Sequence, residues 1–69
     1  MLYNRHMGQS NGFGAQIRQR RKALGLSQEV LAERIGVHWT TISRWERGQS
    51  QPIVALRKLV LTALGDDDA

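Results

Sequence analysis

SQEVLAERIGVHWTTISRWERG, residues 27–48, is the stretch of sequence that decides the fold. In each half of it, apolar residues recur at the three- to four-residue spacing of a helix, and polar residues occupy most of the other positions. Gly36 separates the halves and can adopt the positive φ angle of a tight turn. The pattern therefore predicts two short helices joined by a turn, with inward side chains at Leu31, Ile35, Ile42 and Trp45.

Helical patterns flank this stretch on both sides. Upstream, Phe13, Ile17 and Leu24 recur at helical spacing before Gly25, which ends the predicted first helix. Downstream, Pro52 suits the first turn of a fourth helix that runs to about residue 64. Because no alternating strand pattern occurs, the sequence predicts an all-α domain of four helices.

The charge of the chain favours a polyanionic partner. Of 69 residues, 10 are Lys or Arg and 6 are Asp or Glu, which gives a formal net charge of +4. Three of the acids form the run Asp66–Asp68, so residues 1–65 carry 10 basic against 3 acidic side chains, or +7. We divide the chain into a flexible N-terminal arm at 1–12, a compact domain at 13–65 and an acidic C-terminal tail at 66–69.

The same composition disfavours several function classes. A chain of this length forms a thin core without a deep substrate cavity, and its sequence suggests no catalytic arrangement of Ser, His or carboxylates. It has no cysteine and no metal-ligand spacing, so we expect no disulfide, metal or other cofactor. No apolar run approaches the roughly 18 residues of a membrane span. We expect a non-enzymatic cytoplasmic protein of prokaryotic or phage type, associated with the nucleoid and not with a membrane.

A family resemblance covers most of the chain. Residues 28–37, QEVLAERIGV, and 42–48, ISRWERG, closely resemble the helix-turn-helix of the lambda-repressor-like family, of the xenobiotic-response-element type. Further positions that resemble the opening of that family are Phe13-Gly14, Ile17-Arg18, Arg21 and the run GLSQ at 25–28. The resemblance implies a compact DNA-binding domain of four or five helices, but the sequence shows no counterpart of a fifth helix.

The resemblance also implies a role for each matching position. The recognition helix, roughly Trp39–Arg47, would lie in the major groove of double-stranded DNA, where Arg suits guanine and Thr suits a thymine methyl group. The residues that would face base edges are His38, Trp39, Thr40, Ser43 and Arg44. The residues that would bind phosphates are Gln28, Arg18, Arg47, Gln49 and Ser50. Arg21 and Glu46 would form a structural pair that bridges the first and third helices.

Two positions depart from the family pattern, and a third is unusual. His38 stands where the family usually has a capping Ser or Thr; it is a weak cap, so either the helix begins late or His38 contacts DNA itself. Ile53 follows Pro52 where the family usually continues with a capping Ser. Trp39 has no packing reason to be exposed, so we expect it to contact DNA or a partner.

These features predict a sequence-specific transcriptional regulator that represses by occupying an operator. The alternative is a helix-turn-helix used for protein contact, or an antitoxin-like subunit whose main partner is another protein. A protein-contact version is expected to lack basic phosphate-binding residues, whereas Arg18, Arg44 and Arg47 are present.

The fourth helix predicts a homodimer. Placing residues at 100° steps puts a broad apolar arc toward the core, at Ile53, Leu56, Leu59, Val60, Ala63 and Leu64. Val54 and Leu61 then stand on the opposite side, beside Arg57. We expect this patch, with Ile53 and Leu64 at its edge, to pair two copies on a palindromic operator whose half-sites lie about 34 Å apart. Two scattered exposed apolar residues are the alternative interpretation.

Overall fold

A computed structural model describes residues 12–65 as four α-helices with no strand in that range. The helices are α1 (Phe13–Ala23), α2 (Gln28–Ile35), α3 (Trp39–Glu46) and α4 (Val54–Ala63). The prediction of an all-α fold with four helices is confirmed. The predicted tail at 66–69 and all but the last residue of the predicted arm at 1–12 lie outside the described residues.

The first helix follows its predicted bounds but not its whole predicted apolar stripe. Ile17 is fully buried, and Gly25 ends the helical segment with a φ of 72°. Leu24, however, is 52% exposed, so its assignment to the buried stripe is wrong. Because the helix ends at Ala23, Leu24 occupies the C-cap, where the chain turns.

The turn between α2 and α3 forms as the sequence predicts. The hydroxyl of Ser27 accepts a hydrogen bond from the backbone N–H of Val30 at 3.0 Å and so caps α2. Gly36 has a left-handed φ of 93°, and its N–H and that of Val37 both donate to the carbonyl of Ala32. A residue with a side chain would be strained at this angle, so the glycine fixes the place of the turn.

The core takes a contribution from every helix. Each of the four helices supplies one side chain with no exposed surface, namely Ile17, Leu31, Ile42 and Val60. Around them pack Ala32, Trp45 and Leu64, which are also buried. Burying an aliphatic side chain contributes roughly 1.5–3 kcal/mol. The thin core predicted from chain length therefore still ties all four helices together, and it holds the outer face of α3 in a fixed orientation.

The last helix differs from its prediction in two respects. It begins at Val54 after an extended Ile53 (ψ 162°), so Pro52 precedes the helix and is not in its first turn. Ile53 is exposed and Leu59 is 51% exposed, although both were placed on the core arc. The other four residues of the predicted arc do face the core: Val60 and Leu64 are buried, and Leu56 and Ala63 are partly buried against them.

Candidate DNA-binding surface

The orientation of α3 is set by its two buried side chains. Ile42 and Trp45 point into the core, and α3 packs against both α1 and α2. The remaining side of the helix faces outward. The residues predicted to read bases lie on this side or at its start: His38, Trp39 and Arg44 are exposed, and Thr40 and Ser43 are half-buried. We call these five residues, His38, Trp39, Thr40, Ser43 and Arg44, the recognition face.

His38 is the N-cap of α3, and the helix does not begin late. Its Nδ1 atom accepts the backbone N–H of Thr40 at 3.2 Å and lies 2.8 Å from the Thr40 hydroxyl oxygen. The ring thus takes the place of the Ser or Thr oxygen that usually satisfies a first-turn N–H. Trp39, the first residue of the helix, is 42% exposed, and its ring centroid lies 5.9 Å from that of His38.

Arg21 and Glu46 form a partly buried pair between α1 and α3. Arg21 Nε donates to Glu46 Oε2 at 2.7 Å, and Nη2 donates to Oε1 at 3.0 Å. Nη1 donates to the carbonyl of Leu26 at 2.8 Å, so the guanidinium also holds the chain between α1 and α2. The hydrogen bonds that Arg21 donates to Glu46 raise the pKa of Arg21 above its usual value, against the opposing effect of burial. The pair fixes how α1 and α3 meet.

Gln28 joins this pair, which the sequence did not reveal. Its Nε2 donates to Glu46 Oε1 at 3.1 Å. One amide N–H of Gln28 is therefore committed inside the protein, and the second N–H is left to donate to a phosphate. A Gln at the first position of α2 and a Glu at the end of α3 are far apart in sequence, so only the packing of the helices brings them together.

Two of the predicted phosphate-binding arginines lie in one groove. Arg18 and Arg47 line a groove of about 600 Å³ between the start of α1 and the end of α3. Arg47 is the C-cap of α3 and makes a long contact from Nε to the carbonyl of Ser43, at 3.4 Å. Gln49 and Ser50 are exposed in the loop that follows. The groove thus brings positive charge to one end of the recognition face.

A glycine in α1 allows the backbones of α1 and α3 to meet beside this groove. At Gly14, a Cβ atom would lie 1.9 Å from the carbonyl oxygen of Trp45, so the backbones of α1 and α3 approach too closely for any side chain. Sequence reasoning noted Gly14 as part of the family resemblance but did not identify this contact. A glycine inside a helical pattern was the available signal, since it often marks a close approach of backbones.

The residues predicted for a dimer interface have different environments. Val54 is 82% exposed and Leu61 is half-buried. The Arg57 guanidinium lies 4.5 Å from the centroid of the Phe13 ring, a cation–π contact within the protomer. Leu64 is only 3% exposed, so its assignment to the interface is wrong: it packs into the core at the end of α4.

The part of the chain that the structure describes has neither a cluster of metal ligands nor a helix that could span a membrane. Between residues 12 and 65, no group of three or more His, Cys, Asp or Glu side chains is placed to hold a metal ion. None of the helices in this range is long and apolar enough to cross a membrane.

A helix α2 that packs into the core through Leu31 and Ala32, a tight glycine turn and a helix α3 with one exposed side define a helix-turn-helix protein. The family described as Helix-turn-helix matches residues 17–62, and the chain belongs to this lambda-repressor-like family. An uncharacterized HTH-type transcriptional regulator of Methanothermobacter thermautotrophicus is 49% identical over 49 residues, which cover 71% of each chain. An uncharacterized transcriptional regulator in the ATPase CF(0) region of Rhodospirillum rubrum is 53% identical over 38 residues, 55% of this chain and 35% of that protein. No solved structure matches significantly.

Proposed function

We propose that this protein is a sequence-specific regulator of transcription that binds double-stranded DNA with α3 in the major groove. The observation that carries the proposal is the exposure of polar and aromatic side chains on the recognition face. Its aromatic, hydroxyl and guanidinium groups point away from the core on a helix held rigidly by Ile42 and Trp45. A helix of this width fits the major groove of B-DNA, where side chains of these types recognise bases.

The charge around the recognition face supports the proposal. Arg18 and Arg47 share the groove at one end of α3, and Gln28 lies at the N-terminus of α2, where backbone N–H groups favour a phosphate. Gln49 and Ser50 are exposed in the loop after α3 and add polar groups to this set of phosphate-binding residues. We assign phosphate binding to these five residues, and base reading to His38, Trp39, Thr40, Ser43 and Arg44.

The mode of regulation we propose is repression by occupancy. A domain that covers an operator excludes polymerase without any chemistry of its own, and we propose no catalytic role, cofactor or membrane partner. The family membership and the names of the two relatives support DNA-binding transcription regulation. We place this activity in the cytoplasm, at the nucleoid. The retained arginines favour DNA over a protein as the main partner of the recognition face.

The salt dependence of binding tests this proposal. Preferred sites are selected from random duplex DNA, and the affinity for the best site is then measured between about 50 and 200 mM salt. Each phosphate neutralised by Lys or Arg contributes a slope of about −0.9 to log affinity against log salt, so the two charged contacts of Arg18 and Arg47 predict a slope of about −1.8 per half-site. An affinity that hardly changes with salt, or a selection that enriches no sequence, would contradict the proposal.

We propose further that two copies pair through α4 on a palindromic operator. The exposed apolar side chains at the start of that helix, Ile53 and Val54, support a self-complementary surface, with Leu61 at its margin. Arg57, which is exposed on the same side of α4 and stacks on Phe13 of its own protomer, stays in the proposed interface, whereas Leu64 leaves it because it is buried. Such a dimer would present two copies of α3 to half-sites about one DNA turn apart.

A further inference from the structure

The two contacts between His38 and Thr40 suit one tautomer of the His38 ring. The backbone N–H of Thr40 donates to His38 Nδ1, so this nitrogen presents its lone pair and carries no hydrogen. The Thr40 hydroxyl oxygen lies 2.8 Å from the same nitrogen. In this tautomer Nδ1 can only accept, so the Thr40 hydroxyl is the donor in this contact.

The consequence for Thr40 is a hydroxyl with a fixed polarity. A free threonine hydroxyl can donate or accept, and it therefore discriminates poorly between bases. Here the only hydroxyl proton is directed at His38, so the oxygen offers lone pairs alone to anything outside. The proton of the neutral His38 ring then sits on Nε2, which offers a donor. The pair thus presents one donor and one acceptor, and the two cannot exchange roles while Nδ1 accepts.

We propose that Thr40 acts as an acceptor toward DNA, so that it selects a base with an exocyclic amino group in the major groove. Those groups are adenine N6 and cytosine N4, whereas the carbonyl oxygens of guanine and thymine cannot donate to Thr40. His38 is the positioning residue for this choice, because it takes the hydroxyl proton whether or not it touches the same base. The inference rests on the proposed DNA binding and adds a chemical rule at one position of the site.

The chain offers matched variants that separate polarity from folding. His38→Ala removes the acceptor and leaves the Thr40 hydroxyl free to rotate. His38→Asn keeps an oxygen close to the place of Nδ1 and is a strong N-cap, so it is expected to retain both contacts. Thr40→Val removes the hydroxyl at nearly constant shape. Discrimination is measured as the ratio of affinities for two DNA sites, which does not change if a variant only lowers the folded fraction.

The experiment starts from the best site selected by the wild-type protein. Each adenine or cytosine in that site is replaced in turn by its deamino analogue, purine or pyrimidin-2-one. At one position we expect removal of the amino group to weaken wild-type binding roughly two- to tenfold, the usual effect of one hydrogen bond. Thr40→Val should lose no affinity on the same replacement, which controls for any change in the duplex itself.

The His38 variants then test the positioning role at that base pair. His38→Ala should bind amino-bearing and carbonyl-bearing bases within about twofold of each other, and His38→Asn should keep the wild-type preference. If His38→Ala binds as tightly as the wild type and keeps the same base preference, the inference is overturned and the proposed function stays intact. The same is true if Thr40→Val is as sensitive as wild type to every deamino analogue. Absence of specific DNA binding by the wild-type protein would overturn both.

Discussion

At the scale of single residues, Arg44 and Arg47 are one turn apart on α3 but have different surroundings. Arg44 is exposed in the last turn of α3, whereas Arg47 caps the helix and lines the groove shared with Arg18. A guanidinium over base edges can form two hydrogen bonds to guanine, and one beside the sugar-phosphate backbone binds any sequence. The two arginines are therefore expected to differ in what they contribute.

We predict that Arg44→Ala weakens binding to the preferred site by roughly 1–3 kcal/mol and relaxes the preference at one base position. Arg47→Ala should instead weaken binding to all sequences alike and make the salt slope shallower by about 0.9. Affinities for a library of single-base variants of the site, measured at two salt concentrations, distinguish these effects. Identical behaviour of the two variants would show that the recognition face is assigned incorrectly.

At the scale of helices, the contact between the start of α1 and the end of α3 depends on Gly14. We predict that Gly14→Ala destabilises the domain by roughly 1–3 kcal/mol, because its methyl group would overlap the carbonyl oxygen of Trp45 and push the two helices apart. Thermal and denaturant unfolding measure the change. Gln19→Ala, at an exposed position of the same helix, is the control and should change stability little. Equal stability of Gly14→Ala and wild type would mean that the backbones do not meet as described.

The packing of α4 explains why its apolar residues were partly misassigned. The sequence shows which residues of this helix are apolar, but they cover more than one side of it. The structure turns Val60 and Leu64 toward the core, where α4 packs mainly against α2. Leu59 and Val54 are left outside, and Leu61 falls at the boundary. The rotation of α4 about its axis depends on the shape of the α2 surface against which it packs. The sequence pattern of α4 alone gives no information about that surface.

At the scale of the whole molecule, the proposed dimer depends on the exposed start of α4. We predict that Val54→Glu leaves a folded protein that is monomeric and binds a single half-site weakly, because the carboxylate would have to be buried in the interface. Sedimentation, with and without a palindromic operator, measures the association. Leu59→Glu is the matched control: it adds the same charge about 140° further around α4, outside the proposed interface, and should still dimerise. A wild-type protein that stays monomeric on its operator at high concentration would contradict the dimer.

The sequence by itself determined the helices, their order and the turn between α2 and α3. These depend on local chemistry: Ser27 satisfies an N–H at the start of α2, and glycine at position 36 accepts the left-handed turn. The spacing of Ile42 and Trp45 also showed which side of α3 is buried. Each of these signals depends on residues that are close together in the sequence, so these features could be predicted without knowledge of the tertiary structure.

Only the tertiary structure decided how distant groups meet. Glu46 accepts hydrogen bonds from both Arg21 and Gln28, and the second of these contacts has no sequence signal because it joins residues 18 positions apart on different helices. The exposure of Leu59 and the burial of Leu64 followed from the way α4 packs. Which side of each helix is buried depends on how all four helices pack together.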